Sequence, residues 1–180
     1  MDCRNSRIGV ATVRQWATSL PSGADVLDLG CGPGVPISQT LVEAGFQVYG
    51  IDASARMVAA FGQRFPHVPV ERSPVEHSLF FGRTFDGVIA WGLLFLLPAA
   101  TQELVIRKIA RALKPGGRFL FTAPEQAATW SDLLTGRESI SLGASAYRKL
   151  LSAEGLVLLG EENDEGNNHY YLGAGGSRAR

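Results

Sequence analysis

Short apolar runs alternate with longer stretches in which apolar residues return every three or four positions. Residues 25–29, 47–51, 68–71, 85–90, 118–122 and 156–161 are the short runs, and they read as strands. Residues 85–90 are apolar nearly throughout, as a strand buried on both faces requires. Helical spacing occupies residues 13–20, 35–44, 54–65, 101–113 and 145–153. In the second of these Ile37, Leu41 and Val42 share a face; in the third Ser54 is placed to cap, with Met57, Val58, Phe61 and Phe65 as the apolar stripe. Gly45, Pro66, the Pro115-Gly116-Gly117 turn and Gly155 supply the stops. A seventh strand is expected at 168–173, reached through the polar turn 163–167. That link is too short for a helical crossover, so this last strand should run antiparallel. The alternation implies an α/β chain with a doubly wound sheet of about seven strands, mostly parallel, whose ligand edge lies at the strands' carboxyl ends.

The joint between the first strand and its helix carries the most specific chemistry. Residues 26–34 read Val-Leu-Asp-Leu-Gly-Cys-Gly-Pro-Gly, with Gly30, Gly32 and Gly34 at alternate positions. A ligand can lie against backbone only where no Cβ intervenes, and glycine also permits the φ values of a tight strand-to-helix turn. A G-x-G-x-x-G dinucleotide fingerprint would need its third glycine at Val35, but the glycine is Gly34. The loop therefore suits an adenosine-containing ligand without a pyrophosphate better than NAD. The second strand leads into Asp52, placed to accept hydrogen bonds from both hydroxyls of a ribose. Asp52 can alternatively be only the N-terminal acid of the next helix, where Ser54 is the better cap; beside the glycine loop the ribose role is favoured.

Composition narrows the classes. The 180 residues suit one domain: an N-terminal helix region (1–23), a cofactor half (24–124), an acceptor side with a final hairpin (125–174) and a tail (175–180). Lysine plus arginine and aspartate plus glutamate number 17 each, which leaves no electrostatic footprint for nucleic acid or an anionic membrane. No long apolar segment opens the chain, so a cytoplasmic protein is expected, with Cys3 and Cys31 as reduced thiols. Cys3, Cys31, His67, His77 and His169 lack metal-ligand spacing, and no G-x-S-x-G elbow surrounds Ser38 or Ser54.

Residues 26–34 together with Tyr-Gly-Ile-Asp-Ala-Ser (49–54), Thr-Phe-Asp-Gly-Val-Ile-Ala-Trp (84–91) and Leu-Lys-Pro-Gly-Gly-Arg-Phe-Leu-Phe (113–121) form an ordered set. In that order and spacing the chain resembles the class I S-adenosylmethionine-dependent methyltransferases, with their Rossmann-like sheet, particularly the small bacterial small-molecule type. The resemblance implies S-adenosylmethionine as cofactor. Asp28 would orient the loop and meet the cofactor's amino group, or act structurally through loop amides. Gly30, Gly32 and Gly34 would allow close approach, Cys31 would pack under the ligand, Asp52 would take the ribose and Ala53 would line adenine. Where many relatives carry a Gly-Asp-Ala adenine contact, this chain has Ser73-Pro74-Val75 and then Glu76. The backbone of Val75 with Glu76 is the favoured replacement; Ser73, or Glu76 as a solvated acid, are the alternatives. Trp91 follows the fourth strand, where relatives touch the cofactor's methionine end. The Leu-His-His-Leu of relatives is replaced by Leu94-Phe95-Leu96-Leu97, which makes that wall apolar and leaves Phe95 as site aromatic or core.

The acceptor side is expected from Trp91, Phe95, Trp130, Asp132, Arg137 and the cluster 164–171. Arg137 would pair with an acceptor carboxylate or phosphate, or with a surface acid. At period two His169 and Tyr171 share a face as base candidates, with Tyr170 on the other; the alternative is a charged turn followed by half-buried tyrosines. The expected activity is methyl transfer to a small molecule by a monomer or weak dimer, and the alternative is a non-catalytic cofactor-binding module.

Overall fold

The apolar runs pair into a seven-stranded sheet in the computed structural model, which describes residues 7–131 and 136–176. In chain order the elements are α1 (Val10–Ala17), β1 (Asp25–Leu29), α2 (Ile37–Glu43), β2 (Gln47–Asp52), α3 (Ala55–Arg64), β3 (Val70–Arg72), β4 (Phe85–Ala90) and α4 (Ala99–Ala112). They continue with β5 (Leu113–Thr122), β6 (Ala128–Ser131), β7 (Glu138–Ser141), α5 (Ala144–Ala153), β8 (Leu156–Asn163) and β9 (His169–Gly175). Strand order is β3-β2-β1-β4-β5-β9-β8. β1 to β5 pair in parallel, and β9 runs antiparallel to both its neighbours.

Both faces of this sheet are covered, which explains why its central strands are mostly apolar. On one face Leu27, Leu29, Val88, Phe119 and Phe121 pack with Val105, Ile106 and Ile109 of α4 and with Tyr147 and Leu151 of α5. On the other, Val26, Val48, Ile89 and Leu120 pack with Val13 and Trp16 of α1 and with Ile37 and Leu41 of α2. Removing such side chains from water contributes roughly 1.5–3 kcal/mol each, which makes the sheet a rigid platform for its carboxyl edge.

Beyond shifts of one or two residues at element ends, the fold departs from the sequence expectation in three places. α1 begins at Val10 rather than 13, because Gly9 takes φ 81° and lets the turn start there. The Pro115-Gly116-Gly117 turn is absorbed into β5, which follows α4 directly and shifts register against β4 between Phe85 and Gly87. β6 and β7 form a separate two-stranded sheet that the weakly patterned residues there did not announce. Among the described residues no helix is long and apolar enough to cross a membrane.

Candidate functional site

At the end of β1 the chain turns at once through Gly30, Gly32 and Gly34, with φ of 69°, 55° and 82°. The N–H groups of Gly30 and Cys31 donate to the carbonyl of Ile51 at 2.8 and 3.1 Å, which closes the loop onto β2. Gly32 N–H donates to Asp52 Oδ2 at 2.9 Å, and Ser54 N–H donates to Asp52 Oδ1 at 2.8 Å. Each carboxylate oxygen thus holds one backbone bond and keeps acceptor capacity for a ligand.

The three glycines are needed for different reasons. A Cβ on Gly30 would stand 3.0 Å from Leu93 Cδ1. One on Gly34 would stand 2.5 Å from Phe65 Cε2 and 2.9 Å from Phe61 Cδ2, so Gly34 makes room for α3. One on Gly32 would meet nothing within 4 Å. Of the three, Gly32 is the one whose Cβ would point into open space, while Gly30 lines a cavity beyond the loop.

Asp28 sits below the loop, 2% exposed, and accepts a hydrogen bond from the Ser38 hydroxyl of α2. Burial raises its carboxyl to about 7; the Ser38 bond opposes this and the charge of Asp52 adds to it. The loop amides bond to Ile51, Asp52 and Cys31 and not to Asp28, so its structural partner is α2. Cys31 is buried beside Gly50, where a Cβ would come within 2.9 Å of the sulfur. Burial pushes its thiol up, reinforced by Asp28 and Asp52.

Beyond the loop lies a cavity of about 400 Å³. Gly30, Ile51, Asp52 and Ala53 form one wall, and Ser73, Pro74, Val75 and Glu76 form another. Leu93, Leu96, Leu97 and Arg137 complete it. The turn after β3 is pinned from behind by Lys108 of α4, whose Nζ donates to the carbonyls of Val75, Glu76 and Ser78 at 2.9, 2.7 and 2.8 Å. The Val75 carbonyl is therefore engaged, and its N–H is the backbone group left for a ligand.

The residues after β4 divide the carboxyl edge in two. In the short 3₁₀ turn Leu94–Leu96, Leu94 is fully buried, Leu96 lines the first cavity and Phe95 lines a second one. This second cavity, about 340 Å³, is bounded by Thr122, Pro124, Glu125 and Gln126 at the exit of β5. Across from them stand Asn163, Asn167, Asn168 and His169 of the β8–β9 hairpin. Phe95 packs on Trp130 of β6, ring centroids 5.7 Å apart and tilted by 37°.

His169 reaches this second cavity with both ring nitrogens occupied. Nδ1 is 2.7 Å from Asn163 Oδ1, and Nε2 is 3.1 Å from Glu161 Oε2. Arg148 grips the same Glu161 through two bonds of 2.6 and 2.9 Å, and it holds that carboxyl below the usual range.

Several expected site residues lie elsewhere. Tyr171 is fully buried, stacked on Phe121 at 4.7 Å and against Tyr147 of α5, so it is no base. Tyr170 is fully buried on the opposite face and cannot touch an acceptor. Its hydroxyl accepts from Trp91 Nε1 at 2.6 Å and donates to Asp164 Oδ2 at 2.8 Å. Trp91 is directed to that bond and lines neither cavity described above. Arg137, expected to pair with an acceptor anion or a surface acid, lines the first cavity rather than the second. Asp132 lies outside the described residues. Sequence reasoning missed Ser38, Lys108, Leu93 and the amide-bearing rim. Lys108 gave no local signal, since its three partners lie about thirty residues away.

Residues 26–117, just over half of the chain, match the family model described as "Methyltransferase domain". The chain is 40% identical over 98 residues to a cypemycin N-terminal methyltransferase of Streptomyces sp, covering 53% of this chain and 40% of that protein. It is 30% identical over 141 residues to a demethylmenaquinone methyltransferase of Streptomyces griseus subsp. griseus, covering 74% and 59%. The chain thus spans about half the length of these curated relatives. Its fold superposes with a TM-score of 0.77 on a Burkholderia thailandensis 1,6-didemethyltoxoflavin-N1-methyltransferase, at 20% identity, covering 93% of this chain and 77% of that one. The latter was crystallised with 1,6-didemethyltoxoflavin and S-adenosylhomocysteine bound.

Proposed function

Because the chain belongs to the class I S-adenosylmethionine-dependent methyltransferases, we propose that it binds S-adenosylmethionine in the Asp52 cavity and transfers the methyl group to a small molecule. The observation that carries this reading is the Asp52 carboxylate, fixed by two backbone N–H groups at the end of β2 beside the open Gly32. A vicinal diol needs an acceptor held in this way, and a flat purine needs the apolar flank that Ala53, Val75, Leu96 and Leu97 supply. The residues fit the cofactor: Asp52 for ribose, the Val75 N–H and Glu76 for adenine, the Gly30–Gly32 backbone for the chain beyond.

The bound cofactor would supply a methyl group already activated on a sulfonium. The protein's task is then to hold an acceptor atom in line and keep water away, and orientation of this kind can supply up to ~7–11 kcal/mol. The second cavity, across the Leu94–Leu96 turn, is assigned to the acceptor. His169 is assigned to shaping that cavity rather than to removing a proton, since Asn163 and Glu161 occupy its nitrogens. An acceptor cavity is what an enzyme needs and a regulatory module that only binds cofactor does not. A cytoplasmic monomer or weak dimer completes the reading.

Calorimetry with S-adenosylhomocysteine tests it. The wild type should bind, and Asp52→Ala should lose roughly 1.5–3 kcal/mol, the magnitude of hydrogen bonds to a charged group. A wild type that takes no S-adenosylhomocysteine, or that prefers NAD, overturns the proposal.

A further inference from the structure

The wall chemistry of the second cavity carries an inference about what enters it, and this inference rests on the methyltransferase reading above. Two acceptors stand at the rim without a partner among the described residues, the Glu125 carboxylate and Asn168 Oδ1, beside the amides of Gln126 and Asn167. The Glu125 carboxylate is exposed at the cavity and makes no hydrogen bond or ion pair with the described residues. Nor does the Gln126 side chain bond to any described residue, and Asn168 spends its Nδ2 on Asp164, which leaves Oδ1 available.

Among the described residues, Arg148 and His169 beside this wall are already committed. Arg148 lies within electrostatic range of Glu125, but both of its bonds go to Glu161. His169 is held between Asn163 and Glu161. Arg137 lines the other cavity. Residues 132–135, between β6 and Arg137, read Asp-Leu-Leu-Thr and add no cation. An anionic acceptor would therefore meet a carboxylate to which no cation among the described residues is bonded. The remaining wall is aromatic, with Phe95 backed by Trp130, and an aromatic face favours a cation or a flat apolar group.

We infer that the acceptor is an amine attached to a compact apolar or aromatic body, that Glu125 holds its ammonium, and that the transfer is N-methylation. Glu125, exposed on the β5 exit loop, first takes the ammonium proton and passes it to water, freeing the nitrogen lone pair. The lone pair then forms the N–C bond to the methyl group while the C–S bond breaks and its electron pair stays on sulfur. The methylated nitrogen carries the positive charge and a proton that leaves by the same route.

The test uses the full chain and three small probes of similar shape: phenethylamine, 2-phenylethanol and 3-phenylpropionate. Binding is followed by amide shifts of Phe95, Gln126 and Asn168 in labelled protein saturated with S-adenosylhomocysteine, after calorimetry of that ligand alone. The amine should bind at least tenfold more tightly than the alcohol, and the carboxylate more weakly than both. Glu125→Gln, on an exposed loop, should abolish the amine's advantage and leave alcohol binding unchanged. If S-adenosylhomocysteine binds but the carboxylate probe matches the amine, or Glu125→Gln leaves the preference intact, the amine assignment falls and the methyltransferase reading stands. If S-adenosylhomocysteine itself fails to bind, both fall.

Discussion

Trp91 and Tyr170 are joined by a 2.6 Å hydrogen bond from the indole N–H to the phenol oxygen, whose own proton goes to Asp164 at 2.8 Å. The same hairpin tip receives the N–H of Gly9 on Glu165 Oε1 at 3.2 Å. Asp164 is further held by the N–H groups of Gly166 and Asn168. The exit of β4, the start of α1 and the tip between β8 and β9 are therefore one hydrogen-bonded unit beside the acceptor edge. Burial and the neighbouring carboxylate push the Tyr170 hydroxyl up, so it stays a donor at every working pH.

Tyr170→Phe should leave the Trp91 N–H without an acceptor and take one donor from Asp164. The expected cost is about 1–3 kcal/mol in urea denaturation, the usual range for an orphaned buried polar group. Proteolysis should become faster within residues 163–168. An unchanged denaturation midpoint would show that the chain of bonds contributes nothing to stability.

Asp28 predicts a pH dependence. Its carboxyl titrates near 7 in the fold against 3.8 when unfolded, so between those values the native state keeps a proton that the unfolded chain has lost. Stability should fall as pH rises from about 4 to 7, and the loss should persist above. Asn at this position can still accept from Ser38 and carries no charge. Thermal unfolding of Asp28→Asn should show a flatter profile between pH 5 and 8 than the wild type. Parallel profiles would rule out a buried, protonated Asp28.

Gly32 and Gly34 should separate binding from folding. Gly32→Ala meets no atom and should cost the fold only about 1–2 kcal/mol for its left-handed backbone. It should nevertheless weaken S-adenosylhomocysteine binding at least tenfold, because its Cβ enters ligand space. Gly34→Ala strikes Phe65 and Phe61 and should cost about 2–5 kcal/mol from strain and overpacking together. Equal behaviour of the two variants in melting and in calorimetry would remove the distinction.

What the sequence revealed was local. β1 and β4 were bounded correctly because an apolar run between charged or glycine residues has one reading, and Ser54 caps α3 as its type suggests. The place of Asp52 at the end of β2 was legible because that strand and the glycine loop before it both had signatures. The tyrosines were not legible in this way. Period two correctly put Tyr170 and Tyr171 on opposite faces of β9, but both faces are interior because β9 lies between β5 and β8 with helices above and below. Strand order is set by long-range pairing and leaves no mark in a seven-residue window. The same holds for Arg137, whose partner cavity is decided by the β6–β7 hairpin, and for Lys108, whose three carbonyls come from another layer.

The position of β9 also constrains the order in which the molecule is assembled during synthesis. It is made after β8 and after β1 to β5, yet it stands inside the sheet, with β8 beyond it. Until residues 169–175 exist, β8 has no neighbour to pair with and β5 ends in a bare edge. The emerging chain can set β1 to β5 beside one another as they appear, but the rest must wait and enter as a finished hairpin. That hairpin brings Asp164, His169 and Tyr170 with it, so the sheet and the acceptor edge are completed in one event. A nascent chain can thus display its glycine loop before it has anything with which to hold an acceptor.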